Sequence, residues 1–282
     1  MVIDNDILTK TLFVGETKFY VQFNKGRIRS SAAKTDAASI AKRPCFLCKE
    51  NRPPEQPSKD WGNRYEILDN PFPIFPKHLT IPTYEHMPQQ IENRFTDMLA
   101  LADDLPDFTV FFNGARCGAS APDHMHFQAG SRHFMPIEQQ WQECIGEHIA
   151  IERQARLHIM ANDPRNTLVM IADKADDAVR LFEKILLALD ESMLNVLCYY
   201  ENKQWFTFIF PRTKHRPDCY FAKENEQMII SPASVDLGGV FITVRESDYK
   251  RLDTTRLELI LHEVCWQEQD IKKFKDRLRD ER

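Results

Sequence analysis

Residues 113–128 read NGARCGASAPDHMHFQ, and this stretch decides both the fold class and the chemistry that the sequence predicts. A β-strand turns alternate side chains to one face, so His124, His126 and Gln128 are expected to point the same way, with the apolar residues between them facing the core. The small residues of the preceding loop let backbone N–H groups approach an anion closely. A histidine on a strand is usually structural, whereas H-x-H-x-Q after a strand ending in Asn113 and a Gly/Ser loop is much more specific. The stretch therefore predicts a site on a strand that borders a cleft.

The residues on either side of this stretch predict a mixed architecture. Strands are predicted at residues 17–24, 65–69, 78–82, 108–113, 167–173, 227–231 and 239–245, and in a hairpin around residues 201–203. Helices are predicted at residues 88–104, at residues 137–149 from apolar side chains spaced every four positions, around residues 179–189 and from about residue 255. Because strands and helices do not alternate strictly, the predicted class is α+β, with mainly antiparallel sheets and flanking helices.

The composition excludes several classes of protein. Of the 282 residues, 43% are hydrophobic and 28% are charged, as in ordinary globular proteins. The formal net charge of −5 argues against an electrostatic grip on duplex nucleic acid or anionic lipid, so we expect neither partner. The sequence begins without a signal-peptide pattern and has no apolar run near the ~20 residues that span a bilayer, which predicts a cytoplasmic protein. The seven cysteines are an odd number and mostly scattered, unlike a disulfide framework.

The histidine stretch resembles the transferase branch of the histidine triad superfamily, where glutamine stands at the position of the hydrolases' third histidine. That branch includes galactose-1-phosphate uridylyltransferase, diadenosine tetraphosphate phosphorylase and GDP-L-galactose phosphorylase. Residues 124–138 (HMHFQAGSRHFMPIE) and 231–249 (SPASVDLGGVFITVRESDY) are similar to the last of these. The resemblance extends in patches over most of residues 18–250 and implies a histidine-triad-like fold with two such halves.

The resemblance also implies roles for the polar residues of the stretch. His126 stands at the nucleophile's position: a neutral imidazole with one protonated nitrogen attacks the α-phosphorus of a nucleotide and carries the nucleotidyl group as a phosphoramidate. Gln128 is expected to donate to a non-bridging phosphate oxygen, and Asn113, Ser120 and the backbone amide of Gly118 are candidates for further donors. Because an amide cannot act as an acid or base, we expect turnover to depend on an anionic acceptor rather than water.

Cys45 and Cys48 form a C-x-x-C pair within an irregular, proline-rich segment. Such a pair indicates a metal half-site or a redox couple, although the helix start that activates redox thiols is not evident nearby. A tetrahedral zinc site needs two further ligands. The resemblance to galactose-1-phosphate uridylyltransferase implies His78, in FPKHLTIP, and His124, the first histidine of the motif. A structural zinc on these four residues is therefore expected, and no organic cofactor.

Two basic segments are candidates for phosphate binding. Residues 22–30 (QFNKGRIRS) contain Arg27 and Arg29, which suit a bidentate grip on phosphate oxygens, and the resemblance supports basic residues from this region. A solvated edge strand is an equally good interpretation of the same residues. Residues 211–216 (PRTKHR) follow a buried-looking strand and indicate either a substrate-binding cluster or a plain basic turn.

These features predict a phosphorylase-type nucleotidyltransferase with a catalytic half at residues 1–160 and a second half at residues 161–282 that completes the substrate site. The predicted reaction is phosphorolysis of a nucleoside diphosphate sugar, such as a GDP-hexose, through a nucleotidyl group on His126. Its partners would be the nucleotide sugar and inorganic phosphate or a sugar phosphate, and a homodimer is left open. Two alternatives remain: a phosphorylase of dinucleoside polyphosphates such as diadenosine tetraphosphate, and a non-catalytic nucleotide-binding protein. The intact H-x-H-x-Q argues against the second, since a binding protein needs no nucleophile.

Overall fold

A computed structural model describes residues 7–28 and 36–280. The strands are β1 (Leu8–Val14), β2 (Thr17–Phe23), β3 (Ser58–Trp61), β4 (Tyr65–Asp69), β5 (His78–Pro82), β6 (Phe108–Asn113), β7 (His126–Ser131), β8 (Ile145–Glu152), β9 (Ala155–Met160), β10 (Leu168–Ala172), β11 (Leu194–Glu201), β12 (Gln204–Pro211) and β13 (Val240–Thr243). The helices are α1 (Ala37–Ile40), α2 (Phe95–Asp104), α3 (Ile137–Gln140), α4 (Ala175–Ala188), α5 (Ser234–Leu237), α6 (Glu246–Arg251), α7 (Thr254–Val264) and α8 (Glu268–Asp280). Within the described residues, no helix is long and apolar enough to cross a bilayer.

The larger of two sheets has ten strands in the order β3-β4-β5-β7-β6-β11-β12-β10-β9-β8. All its neighbouring strands pair antiparallel. Read from either outer edge, the sheet repeats one order: β3-β4-β5-β7-β6 in the first half and β8-β9-β10-β12-β11 in the second. The halves meet where β6 pairs with β11, with Asn113 opposite Asn195. The sheet is therefore built from two five-stranded halves.

One long helix packs on the same face of each half. α2 links β5 to β6 in the first half, and α4 links β10 to β11 in the second. The rings of Phe95 and Phe182 stack with their centroids 3.9 Å apart, so the halves share one apolar core on this face. β8 and β9, which precede the predicted boundary at residue 160, pair within the second half of the sheet. The predicted α+β class, with antiparallel sheets and flanking helices, is confirmed.

The opposite face of the large sheet carries a three-stranded sheet in the order β1-β2-β13, in which β13 runs parallel to β2. Side chains of β7 and the residue before it alternate between the two faces. Met125 and Phe127 pack in the core beneath the helices, as predicted. His126 and Gln128 point to the other side, where Phe111 of the neighbouring strand belongs to a second core between the two sheets. This alternation places polar side chains under the smaller sheet.

The predicted helix at residues 137–149 is wrong beyond its first turn. α3 ends at Gln140, and Ile145 begins the edge strand β8. A spacing of four residues fits one helical face, but it is also a multiple of the two-residue period of a strand, and β-branched isoleucines favour the strand. Tight packing here requires glycine, because a Cβ on Gly146 would lie 2.6 Å from the carbonyl oxygen of Ile159.

Two other predicted elements differ from the structure, while the rest are present within a few residues. The helix predicted at residues 88–104 begins only at Phe95. Residues 227–231 belong to neither sheet, although Met228 and Ile230 are buried and produce the alternating pattern. The backbone N–H of Ile229 instead donates to the carboxylate of Asp248 at 2.9 Å. The alternating pattern of residues 227–231 therefore indicates that one side of the segment is buried, and not that it pairs in a sheet.

Candidate active site

A cavity of about 580 Å³ opens on the face of the large sheet that lies opposite α2 and α4. Side chains of β5, β6 and β7 form part of its lining, together with the C-x-x-C segment, the loop after β4 and the residues around α5. The predicted catalytic and substrate-binding residues that line it are Arg27, Asn113, Gly118, Ser120, His126 and Gln128. Arg29 lies outside the described residues. The size of the cavity is within the range of roughly 300–1,000 Å³ that is usual for small-molecule sites.

His126 is held as a neutral imidazole with one free nitrogen. The residue is 4% exposed, and burial lowers its pKa to about 4. Nδ1 lies 2.8 Å from the backbone carbonyl oxygen of His124, so Nδ1 carries the proton and donates it to that oxygen. The lone pair on Nε2 is left available to the cavity that the ring lines. A nitrogen nucleophile needs this protonation state.

Gln89 fixes the start of the histidine strand. Its Oε1 accepts the backbone N–H of His126 at 2.8 Å, and its Nε2 donates to the carbonyl oxygens of His126 and Asn113, each at 3.0 Å. The side chain is buried, so water does not compete for these bonds. Gln89 thereby ties the end of β6 to the start of β7 and sets the position of the imidazole. The sequence prediction missed Gln89, because no motif surrounds it.

His78 lies beside Gln128 and away from the cysteine pair, contrary to its prediction as a zinc ligand. Its Nε2 is 3.1 Å from Oε1 of Gln128, and its Nδ1 accepts the backbone N–H of Ile74, also at 3.1 Å. The reason is the pairing of β5 with β7, which puts residue 78 on the cavity face next to Gln128. Both imidazole nitrogens are engaged there, so the zinc role predicted for His78 is wrong.

Asn113 connects the two halves of the sheet at the cavity. Its Oδ1 accepts three hydrogen bonds, from the backbone N–H of Ser234 at 2.9 Å, the hydroxyl of Ser234 at 2.7 Å and the amide of Asn195 at 2.8 Å. Asn195 in turn accepts a bond of 2.6 Å from the buried guanidinium of Arg212. With its oxygen engaged, Asn113 has its amide N–H groups to offer to the cavity that it lines.

The basic segment at residues 211–216 has both a structural and a cavity-lining part. Arg212 is 2% exposed and donates to the carbonyl oxygens of Lys214 and His215 at 3.0 and 3.1 Å. These bonds shape the turn that carries His215 and Arg216 to the cavity. Burial lowers the pKa of His215 to about 4, and the charges of the two neighbouring arginines act in the same direction. The second half thus contributes to the same cavity as His126.

The lining of the cavity is predominantly positive. The described residues of the lining include one carboxylate, Asp236, and three arginines, Arg27, Arg52 and Arg216, of which Arg52 is ion-paired with Glu66 at 2.5 Å. Burial raises the pKa of Asp236 to about 6, and its two oxygens accept backbone N–H groups at 2.9 and 3.0 Å. Burial lowers the pKa of Arg27 only to about 10, so its guanidinium is charged at neutral pH. An excess of positive charge suits a ligand with several phosphate oxygens.

The loop of small residues brings the backbones of both halves into contact. Gly118 has φ of +110°, and a Cβ at this position would lie 2.7 Å from the Cβ of Ala233. Glycine is therefore required by its conformation and by the close approach. The carbonyl of Ser120 accepts a bond of 3.3 Å from Arg43, which also contacts the carboxylate of Asp123 at 3.0 Å. Donation from this loop to a substrate stays a prediction.

Four residues with the chemistry of metal ligands converge at the edge of the site: Cys45, Cys48, His86 and His124. Their ligand atoms all lie within 4.8 Å of one another. The distance from Sγ to Nδ1 is 3.3 Å both for Cys45 and His124 and for Cys48 and His86. Such separations fit neighbouring ligands of a tetrahedral zinc, whose bonds are about 2.0–2.3 Å long. The structure therefore unites three of the four predicted ligands and adds His86, which the sequence prediction missed.

The orientation of His124 agrees with a ligand role. Its Nε2 lies 2.8 Å from the carbonyl oxygen of Thr83, so Nε2 carries the proton and Nδ1 has a lone pair facing the cysteines. The prediction that His124 and His126 share one face is wrong, because His126 lines the cavity and His124 faces the cysteines. β7 begins only at His126, and the backbone N–H of His124 closes a turn onto Ala121 at 3.2 Å. Two sulfur and two nitrogen donors are a set that zinc prefers.

The two halves of the chain match two families. Residues 136–281 match the family described as GDPGP1-like, C-terminal domain. Residues 3–131 match a domain of unknown function, DUF4922. The match over residues 3–131 ends at the last residue of β7, where the first half of the large sheet also ends.

Known proteins resemble the chain in sequence or in fold. Galactose-1-phosphate uridylyltransferase of Staphylococcus saprophyticus is 30% identical over 83 residues, which are 28% of this chain and 16% of that relative. Yeast Ap4A phosphorylase Apa2 in complex with Ap4A has a TM-score of 0.62 at 16% identity, over 92% of this chain and 90% of that one. The same yeast protein in complex with AMP has a TM-score of 0.57 at 18% identity, over 91% and 87%. The predicted resemblance to histidine-triad-like transferases is confirmed.

Proposed function

Since the chain belongs to the GDPGP1-like family, we propose that it is a phosphorylase-type nucleotidyltransferase that carries the nucleotidyl group on His126. The state of His126 carries this proposal. Its Nδ1 proton is committed to a backbone carbonyl at 2.8 Å, and its ring lines a positively charged cavity. The similar proteins are named as a phosphorylase and a uridylyltransferase, which supports the same class of reaction.

In the first step, the lone pair on Nε2 of His126 forms a bond with the α-phosphorus of a nucleoside diphosphate sugar. The bond from this phosphorus to the bridging oxygen breaks, and a hexose 1-phosphate leaves with the electron pair. The imidazole keeps its Nδ1 proton, and the carbonyl of His124 stabilises the positive charge that develops on the ring. Because the leaving group is an ionised phosphate, it needs no proton from a general acid.

In the second step, an oxygen of inorganic phosphate attacks the same phosphorus. The P–N bond breaks, its electrons return to Nε2, and a nucleoside diphosphate is released. Gln128 and Asn113 offer amide N–H groups to the non-bridging oxygens, and Arg27 and Arg216 offset the negative charge of both phosphates. The protein thus supplies one nucleophile and a fixed set of donors.

In this proposal, the nucleobase stacks against two exposed aromatic rings of the cavity wall. Phe46 is 46% exposed and Phe72 is 37% exposed, and both line the cavity. Exposed aromatic rings are stacking surfaces for bases. The hexose end extends toward residues 215–216 of the second half.

The preferred donor substrate is a GDP-hexose-like nucleotide sugar. This choice rests on the similarity of residues 124–138 and 231–249 to GDP-L-galactose phosphorylase, since both segments contribute to the cavity. Phosphorolysis of a dinucleoside polyphosphate is the second candidate. It is favoured by the similarity in fold to a phosphorylase named for Ap4A, which extends over 92% of this chain.

Cys45, Cys48, His86 and His124 are proposed to hold a structural zinc. When bound, the metal would stabilise the fold by joining the C-x-x-C segment to the residues just before the histidine strand. These four side chains take no part in the two chemical steps, because the free nitrogen of His126 is sufficient for both.

The test is a panel of GDP-, ADP- and UDP-hexoses and Ap4A, each incubated with the protein in the presence and absence of inorganic phosphate. We expect phosphate-dependent formation of hexose 1-phosphate and a nucleoside diphosphate from one of the nucleotide sugars. Rapid quenching with substrate labelled at the α-phosphate should trap an acid-labile, base-stable protein adduct. Turnover of Ap4A alone would select the second candidate. Nucleotide binding without turnover or adduct would refute an enzymatic function.

A further inference from the structure

The amide of Gln128 has two ends with opposite chemistry. Its NH2 group donates to a phosphate oxygen, whereas its carbonyl oxygen repels one, and a rotation of the terminal bond by half a turn exchanges them. Gln128 therefore contributes to phosphate binding in only one of two orientations. The residue that selects this orientation affects the reaction through Gln128.

The tautomer of His78 is set by the backbone. The N–H of Ile74 points at Nδ1 of His78 with a donor–acceptor distance of 3.1 Å. A backbone N–H is always a donor, so Nδ1 must be unprotonated, and the proton of the neutral ring lies on Nε2. Nε2 is 3.1 Å from Oε1 of Gln128. The imidazole therefore donates to the oxygen of the amide and leaves its NH2 group for the cavity.

We propose that His78 is a positioning residue. Because its Nδ1 accepts the N–H of Ile74, its Nε2 donates to the carbonyl oxygen of Gln128, and this bond turns the NH2 group of Gln128 toward the α-phosphate. We call these two hydrogen bonds the relay. This inference rests on the proposed function for the identity of the reacting group. The relay itself consists of two hydrogen bonds within the protein.

The surroundings of His78 keep it neutral and in place. The residue is 4% exposed, and its ring contacts Phe75 and Phe111 with centroid distances of 5.2 and 5.8 Å. Burial lowers its pKa to about 3, and the charge of Arg27 acts in the same direction. A neutral ring has one proton to place, so the bond from the Ile74 N–H determines the bond to Gln128.

The strand pairing also favours the relay. Gly130 lies opposite His78, and a Cβ there would come within 2.5 Å of the ring of Phe75. Glycine at this position leaves room for Phe75 to pack against His78. Residue 78 and Gln128 are diagonal neighbours on one face, which is within reach of a histidine and a glutamine.

The test compares His78→Phe, which keeps a ring and loses both hydrogen bonds, with the unchanged protein. We expect kcat to fall by about 10-fold, the value of one to two lost hydrogen bonds, with little change in KM for the nucleotide sugar. His158→Asn, at a half-buried histidine on β9 away from the cavity, is the matched control and should keep the rate of the unchanged protein. An unaltered kcat in His78→Phe would overturn the proposal.

A double-mutant cycle separates positioning from packing. If His78 acts through Gln128, then His78→Phe should slow the Gln128→Ala protein by less than 2-fold, because no amide remains to orient. A general loss of packing would instead lower the rate by the same 10-fold in both backgrounds, and this result would overturn the relay.

A spectroscopic measurement covers the case in which His78→Phe does not fold. In the ¹⁵N-labelled wild-type protein, the long-range ¹H–¹⁵N spectrum should show His78 with a protonated Nε2 and an unprotonated Nδ1. The reverse tautomer would overturn the relay. This spectrum needs no substrate, so a failure of the relay is distinguishable from a failure of the proposed function, which the labelled-adduct assay tests.

Discussion

The two halves of the large sheet share one strand order, yet within residues 7–28 and 36–280 the strands of this sheet that line the cavity around His126 belong to the first half. β7 and β12 have equivalent positions, each next to the strand that meets the other half. On the face opposite the long helices, β7 presents His126 and Gln128 to the cavity. On the corresponding face, β12 presents its phenylalanines, at residues 206, 208 and 210, to the second core.

The second half closes its face with its own aromatic residues. Trp141 packs with its ring centroid 5.2 Å from that of Phe206 and 6.1 Å from that of Phe208, and its indole N–H donates to the hydroxyl of Tyr199 at 3.0 Å. The first half leaves a cavity of about 580 Å³ over its face instead. The two halves have the same strand order and differ in the side chains on the face opposite the long helices. These side chains decide whether that face lines a ligand cavity or packs into a hydrophobic core.

Replacement of His126, the proposed nucleophile on the cavity face of the first half, should have the largest effect on activity. His126→Asn should lower turnover on the order of 10⁴-fold or more, because it removes the nitrogen that is proposed to form the P–N bond. Steady-state kinetics, the labelled-adduct assay and circular dichroism measure the outcome. An adduct that still forms in His126→Asn would show that another residue is the nucleophile.

Loss of a proposed metal ligand, all of which lie in the first half of the chain, should lower both metal binding and stability. Cys48→Ser is expected to abolish zinc binding and lower the free energy of unfolding by about 4 kcal/mol when the metal is at a thousandfold excess over its Kd. Elemental analysis and chemical denaturation measure both effects. Cys219→Ser, at a half-buried cysteine outside the cluster, is the control and should keep its metal. A zinc-free wild-type protein of undiminished stability would rule out the metal site.

Removal of the amide next to the nucleophile should cost less than removal of the nucleophile. Gln128→Ala is expected to lower kcat by about 10²–10³-fold, the effect of losing one donor to a developing negative charge. The melting temperature should stay close to that of the wild type, because the side chain lines the cavity. A kcat within 3-fold of wild type would exclude the role assigned to Gln128 in the transition state.

The mildest change targets the equivalent strand of the second half. Phe208→Leu should lower the free energy of unfolding by about 1 kcal/mol through lost packing, with kcat unchanged at temperatures where the protein is folded. Denaturant titration and kinetics on the same sample provide both values. A fall in kcat without a loss of stability would mean that the two faces are not functionally distinct.

The sequence predicted the parts of the site that depend on local pattern. H-x-H-x-Q, the strand that ends in Asn113 and the C-x-x-C pair were recognised, and the structure brings them to one cavity and its edge. The predictions failed where the partner lies far along the chain. His78 and His86 are both near β5, but the pairing of β5 with β7 directs the first to Gln128 and leaves the second to complete the cysteine cluster.

Other failures have a physical cause in periodicity. A spacing of four residues fits a helix or an edge strand, so Ile145 and its neighbours were assigned to the wrong element. Gln89 and Asn195 act through hydrogen bonds to segments distant in sequence, and no local pattern distinguishes them from surface amides. Such residues are recognisable only when the fold has placed their partners.

The two residues between Cys45 and Cys48, Phe46 and Leu47, belong to the cavity wall. Whatever orders this short loop also shapes the surface proposed for the nucleobase. If the proposed zinc orders this loop, thermodynamic reciprocity requires that a bound nucleotide raise the affinity for the metal by the same factor by which the metal raises the affinity for the nucleotide. Gln89 holds the backbone of His126, whereas the imidazole of His126 is bound to the carbonyl of His124, one of the proposed zinc ligands. Depletion of the proposed zinc should therefore raise KM and lower kcat together, and saturating nucleotide should slow the loss of the metal.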